Sequence, residues 1–308
     1  MSAPVEAPSG QQHTLVHEGQ MAVVVEVGGA LRSYSTPDRE VLDGYDEDEM
    51  ASSARGHPLI PWPNRVGDGR YTWDGEEHQL PLSEPGSANA IHGLVRWANW
   101  TAVRQSTDAV QMRYLLHPQP GYPFTLEVSI TYRLDADGLT VTTTARNRGT
   151  RALPYAAGQH PYLATAGLVD QCTLHLDART YVQTDGRGLP VADRPVDGTG
   201  QDFRSPRPVG EVQLDTAFTD LARDAQGRAW VTLGTGSGAV TRLWVDAGYP
   251  YLELFTGDTL PDGARRRRSL GVEPMTAPPN ALGQQVGVLR LEPGAGTTCA
   301  WGITPDAQ

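Results

Sequence analysis

Two side chains in this 308-residue chain stand where they could move protons. Glu273 follows Leu270-Gly271-Val272 at the end of an apolar run, and Pro274 prevents regular continuation. Among apolar neighbours the charged form of a carboxyl is penalised, which raises its pKa toward general-base duty. An ion pair with the adjacent arginine run 265–268 is the competing reading, and the sequence alone does not separate the two. His160 follows Gly158-Gln159 and precedes Pro161-Tyr162, after the small-residue stretch Tyr155-Ala156-Ala157-Gly158 that leaves room around an imidazole. A ligand could approach it closely there; a histidine bonded to loop backbone is the plainer alternative.

A second group of polar residues lies in the stretch 58–97, PLIPWPNRVGDGRYTWDGEEHQLPLSEPGSANAIHGLVRW. Pro58, Pro61 and Pro63 hold its start extended rather than helical. Trp62 and Trp97 read as apolar anchors bracketing Asn64, Arg65 and His92. Gly67, Gly69 and Gly75 punctuate a hairpin carrying Arg70, Tyr71 and Trp73. A stiff aromatic-walled segment with one cation and one imidazole suits the wall of a polar-ligand pocket; a solvated Pro-rich loop would look similar. Asp215, a lone acid before a small-residue run, says little by itself. His13, His17, His78, His117 and His175 sit in contexts typical of structural or solvent-facing histidines.

Strands must position these residues. Met21 to Val27 reads as the first strand. Phe124, Leu126, Val128, Ile130, Tyr132 and Leu134 alternate with period two. The turn Asp135-Ala136-Asp137-Gly138 returns the chain through Leu139, Val141, Thr143 and Ala145. A second hairpin joins 229–233 to 240–245 through GTGSG, and further strands are expected at 251–255, 286–291 and 297–303. No segment carries a sustained 3.6-residue period, and 24 prolines and 34 glycines suit many short strands. The expected fold is all-β, a large antiparallel sandwich filling 1–308 as one domain, with the first twenty residues polar and frayed at their start.

Composition removes several functions. A net charge of −11 argues against nucleic acid or an anionic membrane as partner. All 25 basic residues are Arg, so Schiff-base lysine chemistry is excluded. Cys172 and Cys299 lack metal-type spacing; they could form one disulfide, but read rather as two reduced, buried thiols. The acidic run DGYDEDEM lacks the ligand spacing of a calcium loop and reads as solvated. GTGSG lacks the Lys-Ser/Thr ending of a phosphate loop. No H-E-x-x-H, G-x-S-x-G or helix-opening G-x-G-x-x-G is present, so no metal and no cofactor is expected. The polar N-terminus and the lack of any run of about 18 apolar residues lead to the expectation of a cytoplasmic protein.

The runs PWPNR and IHGLVRW, followed in order by Gly158-Gln159-His160-Pro161-Tyr162-Leu163 and Gly271-Val272-Glu273-Pro274-Met275-Thr276, resemble the aldose 1-epimerase (galactose mutarotase) family. The resemblance spans roughly residues 54–282. It implies the galactose mutarotase-like supersandwich and interconversion of the anomers of a free aldohexose. It further implies His160 as proton donor, Glu273 as proton acceptor, and Asn64, Arg65, His92, Tyr162, Asp215 and Glu253 as sugar contacts; such an acid–base pair would have a bell-shaped pH profile, its acid limb from Glu273 and its alkaline limb from His160. Glu253 departs from the family pattern, which often has Gln before Tyr-Thr-Gly; here the run is Glu253-Leu254-Phe255-Thr256-Gly257. An ionised carboxyl only accepts hydrogen bonds, so hydroxyl recognition changes there. A hexose-6-phosphate 1-epimerase, a non-catalytic sugar-binding protein and a two-carboxylate glycosidase are the rival readings. The expected partner is a small sugar, with the protein a monomer or homodimer.

Overall fold

In a computed structural model, which describes residues 6–306, the period-two segments become strands of two large antiparallel sheets. The first has nine strands, and its centre runs Ala109–Leu116, Leu126–Asp135, Gly138–Asn147, Gly296–Pro305, Val240–Val245 and Ala229–Gly234. The Leu126–Asp135 strand buries Leu126, Val128, Ile130, Tyr132 and Leu134, while the residues between them are more exposed. That pattern is expected of a sheet packed on one face.

The second sheet has eight strands and carries the candidate residues. Its order is Pro190–Pro195, Ala178–Thr184, Asp215–Leu221, Tyr251–Phe255, Ser269–Met275, Gly158–Gln159 and Pro58–Leu59, with Tyr162–Ala164 also paired to Ser269–Met275. Leu252, Leu254, Leu270 and Val272 join residues of the nine-stranded sheet in one hydrophobic cluster. Alternation therefore turns Glu253 and Glu273 to the opposite face. Gln159 links the two sheets: it donates to the Tyr132 hydroxyl (2.8 Å) and accepts from the Trp301 indole (3.3 Å).

Three expectations need correction. The first strand is Gln12–His17, ahead of the expected 21–27, because Leu15 is fully buried; the expectation of a frayed start falls on residues 1–5, outside the described residues. The strand expected over 286–291 is confined to Leu289–Leu291. Ahead of it Ala281–Gln284 form one helical turn, and Gln285 and Gly287 have positive φ, which breaks extended backbone. Trp97 is not an anchor: it is 62% exposed and meets His57 edge-on, whereas Trp62 is buried. Among the described residues Cys172 and Cys299 are free and buried, and no helix is long and apolar enough to cross a membrane.

Candidate active site

Strand register assembles the centre of the site. Ala217 pairs with Glu253, and Glu253 pairs with Glu273. Two short strands, Gly158–Gln159 and Tyr162–Ala164, flank His160 and pair with the Glu273 strand in one continuous register: Gly158 opposite Met275 and Tyr162 opposite Gly271. Extending that register through the interruption places His160 opposite Glu273. A row of side chains thus crosses one face, running Ala217, Glu253, Glu273, His160. Two residues along, the next row on the same face is Asp215, Phe255, Gly271, Tyr162.

Contacts follow from these rows. His160 Nε2 lies 3.1 Å from Glu273 Oε1, with both side chains almost fully buried. The His160 ring stacks on Tyr162, centroids 4.7 Å apart and planes within 10°. Gly271 makes room for this, since a Cβ there would stand 3.5 Å from His160 Cε1 and 3.2 Å from Phe255 Cβ. The Tyr162 hydroxyl donates to Ser53 O (3.1 Å), so Tyr162 is committed to holding the imidazole and has no free O–H to offer. Glu273 pairs with His160 and not with the arginine run: Arg265 reaches Asp43 and Glu49, and Arg267 reaches Asp258 (2.6 Å) and Asp170 (3.1 Å).

The stretch 58–97 brings Asn64, Arg65 and His92 to the same place. Arg65–Gly67 pairs with Asn89–Ile91, and the His92 amide donates to Asn64 O (3.0 Å). Asn64 and His92 both have positive φ, a strain that clusters at ligand sites. Gly93 is required beside them, because a Cβ would lie 2.0 Å from Ile60 O. The Asn64 amide N–H donates to His92 Nδ1 (3.2 Å), so the neutral ring carries its hydrogen on Nε2. Ligand atoms of His92, His160 and Glu273 all lie within 4.8 Å of one another, which resembles a metal-binding triad. With its hydrogen on Nε2, His92 offers a donor there and not a lone pair, which suits a ligand oxygen and not a cation. Arg65 is gripped by Glu84 (Nε to Oε2 2.9 Å, Nη2 to Oε1 3.3 Å) and lies 3.5 Å from Asp215. The Asp215 side chain is 48% exposed and marks the mouth. Glu253 lies at the floor, 2% exposed, accepting from Asn64 Nδ2 at 3.3 Å.

Burial dominates the site's electrostatics. His160 is pushed down to about 3 by desolvation, then by the Arg55 and Arg96 cations. His92 is lowered well below its usual value, by burial first and then by His160. Glu273 is raised well above the carboxylate range by burial, then by Asp215, with Arg65 opposing. Glu253 is raised likewise, by burial and then by Asp215 and Glu273. The expected limb assignment is therefore reversed for the free site. At neutral pH the neutral pair, His160 with protonated Glu273, is favoured over the ion pair.

Sequence reasoning missed Arg55, His57 and Arg96. Arg55 is 2% exposed, lies 4.1 Å above the Tyr162 ring, and is held by the Asp43 carboxylate and carbonyl, both 2.7 Å away. Asp43 is thus no solvated loop acid. His57 is buried with its pKa lowered to about 3, chiefly by desolvation, and its carbonyl accepts from the His160 amide (3.1 Å). The run Arg55-Gly56-His57 directly before the proline-rich stretch was the available signal. Several buried polar atoms here have no partner: Arg55 Nη1, His160 Nδ1, Glu273 Oε2 and both His57 ring nitrogens. Buried polar groups are seldom left so, and a cluster of them fits a site built for a polar ligand.

Residues 11–299 match the family model described as Aldose 1-epimerase. The chain is 32% identical over 289 residues to the uncharacterized protein YihR of Escherichia coli K12, covering 93% of this chain and 90% of that one. It is 30% identical over 160 residues to human galactose mutarotase, covering 49% of this chain and 46% of the human protein. A solved putative aldose 1-epimerase from Escherichia coli K12 superposes with a TM-score of 0.83 at 24% identity, covering 97% and 99% of the two chains. A GalM/aldose epimerase homologue from C. elegans gives 0.86 at 20% identity, covering 96% and 98%. The fold is accordingly galactose mutarotase-like, and the chain belongs to the aldose 1-epimerase family.

Proposed function

We propose that the protein is a mutarotase, interconverting the α and β anomers of a free aldohexose such as glucose or galactose without metal or nucleotide. The observation that carries this is the buried His160–Glu273 contact, flanked on the same face by hydroxyl-binding groups. Ring opening requires the C1 hydroxyl to lose a proton while the ring oxygen gains one. Moving one proton along the 3.1 Å contact converts the resting neutral pair into His160 imidazolium and Glu273 carboxylate. From that state Glu273 takes the hydroxyl proton and His160 protonates the ring oxygen. The open-chain aldehyde then faces the neutral pair, which burial favours. Rotation about C1–C2 and the reverse transfers give the other anomer. Each transfer would contribute about 10²–10⁴-fold.

Arg65, the His92 Nε2–H and Asn64 are the donors for sugar oxygens, and Asp215 is the acceptor at the mouth. They hold the ring so that its reacting atoms meet the pair. The presence of this acid–base pair counts against a protein that only binds sugar. The partner is then a small sugar in the cytoplasm, and the protein acts as a monomer or homodimer. Polarimetry on fresh α-D-glucose and α-D-galactose with EDTA-treated protein tests the reading. Optical-rotation decay at the buffer rate for several aldoses would refute it.

A further inference from the structure

Arg65 sits on the stretch 58–97, whereas Asp215, Glu253 and Glu273 belong to the eight-stranded sheet, and one hairpin turn ties the two together. The turn 185–189 joins the Ala178–Thr184 and Pro190–Pro195 strands of that sheet and folds against Arg65. Gly188, with positive φ, lies so close that a Cβ would stand 2.6 Å from Arg65 Nη1. Leu189 packs on Gly67, where a Cβ would stand 2.9 Å from its Cδ1. Arg187 fastens the turn. Its Nε donates to Ser87 O (2.9 Å), and its Nη2 is shared by Ala88 O (3.0 Å), Asn89 Oδ1 (3.3 Å) and the exposed Asp68 carboxylate (2.9 Å).

Asn89 carries the connection inward. It is fully buried, and its Nδ2 donates to both Arg187 O (2.9 Å) and Glu84 Oε2 (3.3 Å). Two backbone bonds, Glu84 N to Asn89 O (2.9 Å) and Asn89 N to Glu84 O (3.2 Å), lock these residues together. Glu84 in turn occupies the Nε–Nη2 edge of Arg65, at 2.9 and 3.3 Å. Such an edge is what a planar guanidinium uses to clamp an acidic group through two parallel bonds. With it taken, the Nη1 end is left toward the mouth, 3.5 Å from Asp215. Arg65 therefore faces two carboxylates with one positive charge, and a third negative group brought to Nη1 would meet repulsion.

We propose that Arg187, Asn89 and Glu84 are a chain of positioning residues that holds Arg65 and sets its specificity. The guanidinium is kept with its Nη1 end toward the ligand and its charge already balanced, so it donates to an uncharged hydroxyl and rejects an acidic group. The hydroxyl ligand rests on the mutarotase reading; the hydrogen-bonded chain does not. A long side chain loses rotamer freedom when it takes a ligand. Arg65, bonded at Nε and Nη2 and backed by Gly188, has lost that freedom beforehand. Breaking the outermost link releases the turn and loosens Arg65, while His160 and Glu273 stay in contact with each other. The loss therefore falls on KM and spares kcat.

Arg187→Met keeps the apolar stem and removes the latch. KM for D-galactose should rise about three- to tenfold with kcat within about threefold of wild type, and Arg187→Lys should fall between the two proteins. In an Arg65→Ala background Arg187→Met should add less than about twofold, because it acts only through Arg65. Glu84→Gln, nearly the same shape, should likewise raise KM. It should also admit inorganic sulfate as a competitor of the sugar at concentrations that leave wild type unaffected. A fall in kcat with unchanged KM in Arg187→Met, KM losses that add fully to Arg65→Ala, or equal sulfate inhibition of wild type and Glu84→Gln would overturn the proposal. If Arg187→Met does not fold, Glu84→Gln and its double variant with Arg65→Ala decide by the same criteria. If wild type rotates no sugar, the mutarotase reading fails and the Arg65 Nε–H proton resonance decides the chain. That proton should exchange slowly with solvent in wild type and faster in Arg187→Met; equal rates would refute the latch.

Discussion

Glu273→Gln should make the protein nearly inactive and more resistant to unfolding at the same time. Gln is the same size and can still bond His160 Nε2 across the 3.1 Å contact, but it cannot take a proton. With one transfer gone, kcat should fall by about 10²–10⁴. His160→Asn should fall as far, and the double variant little further than the worse single, because one shared proton serves both residues. The stability effect has the opposite sign. Burial raises the folded pKa of Glu273 above its unfolded value, so the unfolded chain releases this proton first as pH climbs. The contribution of Glu273 is therefore fully present below the unfolded pKa and is lost as pH rises toward the folded one. Each unit by which the folded value exceeds the unfolded one corresponds to about 1.4 kcal/mol. Glutamine has no such loss, so Glu273→Gln should gain thermal stability over wild type above about pH 5. Polarimetric kcat and calorimetric melting of the two proteins at mildly acid and at neutral pH test both halves. Near-wild-type mutarotation in Glu273→Gln would refute the proton-transfer role, and a melting difference that does not grow with pH would refute the raised pKa.

Other outcomes follow from the same geometry. Arg65→Ala should raise KM about tenfold, or ~1.4 kcal/mol, with kcat less affected, because it removes a positioned guanidinium and not the proton pair; unchanged steady-state kinetics would place Arg65 outside ligand contact. Free hexose should be preferred over its 6-phosphate in competition assays, since Arg265 and Arg267 are already bound to Asp43, Glu49, Asp170 and Asp258; faster turnover of glucose 6-phosphate would count against this. Gly93→Ala should destabilise by more than about 2 kcal/mol in denaturant titration, since its φ is positive and a Cβ would meet Ile60 O at 2.0 Å. Trp97→Ala should change stability little, because the side chain is largely exposed.

The sequence by itself determined the local structure and the chemical inventory. Period-two runs such as Leu126–Asp135 specify strands because a half-buried sheet demands alternation, and the GTGSG hairpin was legible from its turn residues. Glu273 stood out because an acid in an apolar strand is costly, and the ordered motifs identified the family. What partner each group takes was decided by tertiary structure. A general-base role for Glu273 and an ion pair to its sequence neighbours were not separable in the sequence. Register chose His160, 113 positions away in the chain, by setting it opposite Glu273 across an interrupted strand. Asp43 read as a solvated acid until folding placed it against Arg55, and Trp97 read as an anchor until its ring came to lie at the surface. Glu253 shows the physical reason most directly. Its charge state depends on desolvation and on Asp215 and Glu273 arriving from other strands, and those are properties of a three-dimensional neighbourhood that no local run of residues contains.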